Sequence, residues 1–501
     1  MTERERILPQ LPKSWAWANI GDFTEVLGGK RLPKGHDFSK TPTIYPYIRV
    51  TDFEKMTVNT NRLRFLKNET REVIKKYTIS KDDVYISIAG SIGKVGMVPE
   101  SLDSANLTEN AAKIVANLVM TNKALSYALN TPFVQEQITK AIVSTNQPKL
   151  ALFRIEKLFV PVPPWREQFR IVEKVEQLFS FLDTGVESLH KVQVQLKRYR
   201  QAVLKYAFEG KLTEEWRKNH KDKIEPAKDL LGKIRKKTNN DANQVYDLTS
   251  FKDNVLDKIP DTWARSNLGQ LLVNSLLGLV IPISLQNKKA EGIPYIKMNN
   301  IRSDGSLDLT NLVYVTVNDS DLKKYRLEKA DILFNTRNSF ELVGKTSIIK
   351  TDEKAMVFNN NLMRIRLAEG IDPFFVVYQM NSPGFRNLMI REKKATTNIC
   401  ALYAKDLLPL PLVIAPQEEQ KRIVEEIDYR ISVIDKSEWY IALGFKQIEK
   451  LRQSILKNAF EGKLLSQDPS DESAEMLLCR IKEQKNNLSN INSRGLMSYV
   501  K

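Results

Sequence analysis

The sequence contains few groups able to make or break bonds. Val343-Gly344-Lys345-Thr346-Ser347 has the look of a phosphate-cradling loop, in which a lysine closes a glycine turn and opens a helix. That loop needs a glycine five positions before Gly344, where Ser339 stands, and Ser347-Ile348-Ile349-Lys350 reads as a strand. Val162-Pro163-Pro164-Trp165 resembles the loop with which amino-methyltransferases hold a target amine. Its first residue must supply an amide or carboxylate oxygen, and valine has neither. Pro260-Asp261 with Asp321 and Lys323 is too widely spaced for a nuclease signature. His36, His190 and His220 are scattered, and Cys400 and Cys479 are too few for a disulfide framework or a zinc finger. No metal site and no catalytic residue are expected.

The other chemistry on offer is recognition. The chain carries a net charge of +17 and a pI near 9.4, which suits a polyanionic partner, with nucleic acid the usual one. Loops supply the donors that phosphates and base edges accept. In the first half these are Lys30, Arg31, Lys34, Arg49, Ser91 and Lys94. In the second they are Asn299, Arg302, Arg337, Asn338, Lys345, Asn359, Asn360 and Asn361. Arginine and lysine suit guanine, and asparagine suits adenine. Taken singly, each also reads as a solvated side chain.

These loops need a scaffold. Short strands such as 83–90, 113–120, 331–336 and 362–368, with helices over 123–138 and 373–389, predict α+β domains. The scaffold is duplicated. Pro163 to Leu212 overlays Ala415 to Leu464 without a gap, twenty of the fifty positions are identical, and both copies end in AFEGKL. "YPYIRVTDF" at 45–53 matches "IPYIKMNNI" at 293–301, and "STN" at 144–146 meets "TTN" at 396–398. The loops diverge: "LGGKRLPKGHDFS" at 27–39 has the counterpart "LLGLVIPISLQN" at 276–287. Loops on a common scaffold are where recognition usually sits.

Both repeated segments carry a seven-residue apolar spacing. The first shows Val175, Leu182, Leu189, Leu196 and Val203, with Leu178, Val192, Tyr199 and Tyr206 between them; the second shows Ile427, Ile434, Ile441, Ile448 and Ile455. This predicts two long helices joined in a coiled coil, the simplest partner of each being the other copy, laid antiparallel. The alternative is that each stripe packs on its own domain. The expected order is a target-recognition domain at 1–160, a long helix at 161–212, a linker with a short helix at 213–258, a second such domain at 259–412, a second long helix at 413–465, and a tail with a short helix at 466–501. No apolar run reaches the ~18 residues of a membrane span, and MTERERILPQ lacks the apolar core of a signal peptide, so a cytoplasmic location is expected.

Together "PPWREQFRIVEKV" (163–175), "APQEEQKRIVEEI" (415–427), the passages "LFVPVPP" and "LLPLPLVIAP", and the AFEGKL endings resemble the DNA specificity subunit of type I restriction–modification systems. The resemblance runs from Leu11 to about Lys482. It departs at "QPKL" (147–150), which the second half replaces by "ICAL". It implies two target-recognition domains that each read half of a bipartite, asymmetric site on double-stranded DNA, with the paired helices setting the gap. It also implies docking of two modification subunits that use S-adenosylmethionine to methylate adenine, and of two restriction subunits driven by ATP and Mg2+. The chain itself would be non-catalytic. An enzyme acting alone on DNA, as methyltransferase or nuclease, and a coiled-coil adaptor are the alternatives.

Overall fold

The computed structural model describes residues 8–142, 148–237, 259–351, 353–395 and 400–483. The STN and TTN motifs, Gln147 and Ile399, the second part of the linker (238–258) and the end of the tail lie outside them. The chain forms two compact units, Met1–Leu189 with Ala442–Lys501, and His190–Ile441. Each unit therefore takes in a globular domain, the start of the long helix that follows it, and the end of the other long helix. No helix among the described residues is long and apolar enough to cross a membrane.

In the first unit an antiparallel sheet runs in the order Val26–Gly28, Ala111–Ile114, Val84–Ser87, Val95–Met97. A second sheet runs Arg64–Phe65, Pro46–Ile48, Ala105–Leu107, Thr78–Ile79, and its central pair is parallel. Ala16–Asn19 pairs with Phe159–Val162 just before the long helix begins.

The second unit repeats this. Its antiparallel sheet is Leu272–Leu277, Leu362–Leu367, Ile332–Asn335, Thr346–Ile348. A smaller sheet is Val313–Val315, Ile293–Ile296, Val357–Phe358, and its last two strands are again the parallel pair. Ala264–Asn267 pairs with Pro411–Ile414 ahead of the second long helix. The fold is α+β and internally duplicated.

Two local expectations need correction. The segments 83–90 and 331–336 read as alternating strands, yet Val84–Ser87 and Ile332–Asn335 are buried on both faces: Val84, Ile86, Ile332 and Phe334 join cores shared with the helices, while Tyr85 and Leu333 join clusters shared with the second sheet. The helices over 123–138 and 373–389 are each two helices: Asn122–Leu129 and Pro132–Ala141 in the first unit, Pro373–Met380 and Pro383–Glu392 in the second. Pro132 and Pro383 have no N–H to continue a preceding helix, but suit the first turn of a new one.

The long helices span Trp165–Phe208 and Gln417–Phe460, 44 residues each, or about 66 Å at 1.5 Å per residue. In the first unit their segments run antiparallel, since Asp183 meets Arg452 while Leu189 meets Gly444. Val175, Leu456, Ala459 and Phe460 join the domain core there. In the second unit Arg200 meets Asp435 and Glu438, and Val203, Leu204, Ile423 and Ile427 join the core. Both alternatives for the apolar stripe thus hold at once: each helix packs on a domain at its ends and on its twin.

Of the seam residues, Val175, Val203, Ile427, Ile434 and Ile441 are buried, and Leu182, Leu189, Leu196, Ile448 and Ile455 are half-buried. Val192, Tyr199 and Tyr206 face outward instead. Toward the end of the first helix the companion position lies four residues after the seam position, where Arg200 and Ala207 are shielded. An α-helix drifts about 20° per heptad, which carries the stripe away from a fixed spacing of three.

The repeated phrases mark the joints. Trp15 Nε1 donates to Glu167 Oε2 at 2.9 Å, and Trp263 Nε1 donates to Glu419 Oε2 at 2.9 Å, each tying the front of a domain to its helix start. Gln168 accepts from Thr121 N at 2.9 Å and Gln420 from Asp372 N at 2.8 Å, each holding the loop that opens a domain helix. The residues after one long helix close over the start of the other. Gln467 donates to Glu167 Oε1 at 2.8 Å, while Thr213 and Arg217 donate to Glu419 Oε1 at 2.7 and 2.9 Å. The appendices then add apolar weight: Leu230, Leu231 and Ile234 from helix Ala227–Lys237 in the second core, and Ala474, Leu477 and Ile481 in the first.

Candidate nucleic-acid interface

The parallel strand pair in each unit ends on one edge, and the divergent loop is fastened to that edge. In the first unit Gly29 N donates to Ala111 O at 3.0 Å and Lys30 N to Leu107 O at 2.9 Å. A Cβ on Gly29 would stand 2.1 Å from Thr108 O, so only glycine lets the loop lie this close. Tyr47 Oη donates to Lys30 O at 2.9 Å, and burial pushes that phenol up to about 12.

The second unit fastens its loop the same way. Gly278 N donates to Leu362 O at 3.1 Å, Leu279 N to Phe358 O at 2.8 Å, and Tyr295 Oη to Leu279 O at 2.7 Å. A Cβ on Gly278 would stand 2.2 Å from Phe358 O. Gly29 and Gly278 are therefore equivalent, and Pro33 falls opposite Pro282.

The cations of the first loop point outward. Lys30 and Lys34 are exposed, and Lys30 Nζ lies 5.5 Å from the centroid of the Tyr77 ring. Arg31 pairs with Glu109 at 2.7 Å yet keeps 77% of its side chain exposed, leaving donors to spare. The guanidinium of Arg49 is engaged, donating through Nη2 to Asp52 Oδ1 and Arg62 O, both at 2.8 Å. Ser91 and Lys94 lie on the turn between two core strands; both are exposed, and Lys94 Nζ reaches Phe53 O at 3.3 Å.

In the second unit Asn299, Arg302 and Arg337 are exposed, and Asn338, Asn360 and Asn361 half-buried. Arg302 pairs with Asp308 at 3.0 Å, and Arg337 stacks over Tyr403 at 5.8 Å. Asn361 Nδ2 lies 3.7 Å from Met298 Sδ. Two sequence candidates sit inside. Asn359 is buried. Lys345 is 9% exposed; its Nζ donates to Met298 O at 3.0 Å and to Ile301 O, and burial lowers its pKa. It braces the turn that carries Asn299 and Arg302.

Sequence reasoning passed over one feature here. The loop after Gly278 projects Val280, Ile283 and Leu285, which are 75%, 84% and 66% exposed. Reading the two loops in register from Gly29 and Gly278 would have shown cations replaced by aliphatics.

The comparisons agree with this architecture. The family model described as "Type I restriction modification DNA specificity domain" matches twice, over residues 12–192 and 260–437. The EcoKI type I restriction enzyme specificity subunit of Escherichia coli K12 is 25% identical over 495 residues, 95% of this chain and 96% of its own. The StySPI specificity subunit of Salmonella potsdam is 24% identical over 91% of each chain. A chain solved in work on "complex assembly and conformational transition of the type I R-M system" superposes with a TM-score of 0.62 at 18% identity, covering 91% of this chain and 99% of that one.

Proposed function

The chain belongs to the type I restriction modification DNA specificity family, and from that premise we propose that it is the DNA-reading, non-catalytic subunit of a type I restriction–modification complex. The observation that carries this reading is the duplication itself. One backbone frame is built twice, with glycines, tyrosines and strand ends in equivalent places, and displays two chemically unlike loops. Two unlike readers in one chain suit a bipartite, asymmetric site on double-stranded DNA. The basic balance of the chain supplies the sequence-independent attraction to phosphate.

The remaining surfaces support a scaffold. The long helices leave Phe181, Tyr429, Trp439 and Tyr440 exposed, an aromatic supply that suits protein partners. In this reading two modification subunits dock with S-adenosylmethionine, two restriction subunits bring ATP and Mg2+ chemistry, and the complex works in the cytoplasm. The test is reconstitution. The chain with its modification subunits should methylate adenine at a split site, and the chain alone should bind DNA with affinity that falls with salt and transfer no methyl group. Methylation or cleavage by the chain alone would overturn the reading.

A further inference from the structure

The two divergent loops differ in kind and not merely in sequence. Lys30, Arg31 and Lys34 of the first unit occupy the register positions of Leu279, Val280 and Ile283 in the second. Leu279 turns inward onto the cluster of Tyr295, Val315 and Val357, while Val280 and Ile283 remain in solvent. The strand end beside them also changes. Glu109, the partner of Arg31, is replaced by half-buried Asn360, whose N–H donates to Leu279 O at 3.0 Å. One edge therefore offers three cations, and its twin offers two bare aliphatics beside an amide.

We propose that this edge of the second domain reads A·T pairs in the major groove, with Val280 and Ile283 against thymine C5-methyl groups and the Asn360 amide toward adenine. The inference rests on the DNA-reading function proposed above and deepens it. Thymine alone presents a methyl group in that groove, and an amide is the side chain that matches adenine's paired acceptor and donor. Aliphatic side chains gain nothing from phosphate, so at this edge the second domain depends on base identity where the first depends on charge. Isolated exposed apolar residues are ordinary, but here they replace cations on a frame that is otherwise preserved.

The experiment uses the reconstituted modification complex and its mapped site, with the half read by the second domain assigned by exchanging residues 1–160. Replacing each thymine of that half with deoxyuridine should weaken binding by about three- to fivefold per contacted methyl, the scale of one lost methyl contact. V280A/I283A should weaken binding to thymine DNA, add no loss on deoxyuridine DNA, and leave the slope of log K against log salt unchanged. K30A/R31A/K34A should flatten that slope by up to about 0.9 per lost phosphate contact. The proposal is overturned by a second half-site lacking A·T pairs, by indifference to deoxyuridine, or by V280A/I283A that binds DNA normally or impairs only subunit assembly. A wild-type complex that binds no DNA would instead remove the functional reading beneath it.

Discussion

Gly210 lies so close to Pro260 that a Cβ built on it would stand 2.4 Å from the proline Cγ. Its φ is +71°, the left-handed conformation that ends a helix. Gly462 repeats the relationship against Pro12, at 2.2 Å and φ +68°. This is why the chain spells AFEGKL twice: each copy ends a long helix against the proline that opens a domain. Gly210→Ala should destabilise the protein by about 1–3 kcal/mol through backbone strain, plus the clash. Chemical denaturation should show it, and Pro260→Ala should restore only the part due to the clash.

The two buried carboxylates at the joints should respond differently to mutation. Glu419 is fully shielded and paired with Arg217, itself 13% exposed in its side chain. Arg217→Met strands that carboxylate and should cost about 3–5 kcal/mol. Among the described residues the donors on the Glu167 oxygens are neutral, Trp15 and Gln467, so Glu167→Gln should cost much less at neutral pH.

Glu167 also predicts a pH dependence. Burial raises its pKa above the usual 4.5, outweighing its two hydrogen bonds, so the folded state holds the proton more tightly than the unfolded chain. Its contribution is fully present below the unfolded value and is lost as pH rises through the folded one. The stability difference between wild type and Glu167→Gln should therefore move against wild type from pH 4.5 upward, as read by denaturant midpoints across pH.

On the long helices, Ile434→Asp should be far more damaging than Leu189→Asp. Ile434 is 1% exposed, whereas Leu189 is half-buried, packed against Gly444 and partly open to solvent. The first should cost several kcal/mol through lost burial and an unpaired charge, about the scale of a large core truncation. Breaking Arg452 from Asp183 should cost about 0.2–1 kcal/mol, because the aspartate is 62% exposed. Helical circular dichroism during unfolding, with sedimentation, compares the three.

Lys345→Met should destabilise the second domain by about 1–3 kcal/mol by leaving the carbonyls of Met298 and Ile301 without their donor. Its salt slope for DNA binding should match that of wild type, since the ammonium group contacts no phosphate.

Much of this was legible in the sequence because it repeats. The isoleucines at 427, 434 and 441 mark a buried stripe, and the matched helices mark the duplication. What sequence could not show was how the repeats close on each other. Gln467 meets Glu167 across 300 residues, and no local pattern announces such a contact. Lys345 and Asn359 looked like donors because side-chain type says nothing of burial. Val280 and Ile283 carry no donor, and only their register with Arg31 and Lys34 in the twin loop marks them.

The most direct measurement is a map of methylated adenines in cells carrying the chain with its modification subunits, before and after residues 1–160 are replaced by the first domain of a relative. The account predicts a split site of which one half changes and the other stays as it was. A site that changes in both halves, or in neither, would contradict it.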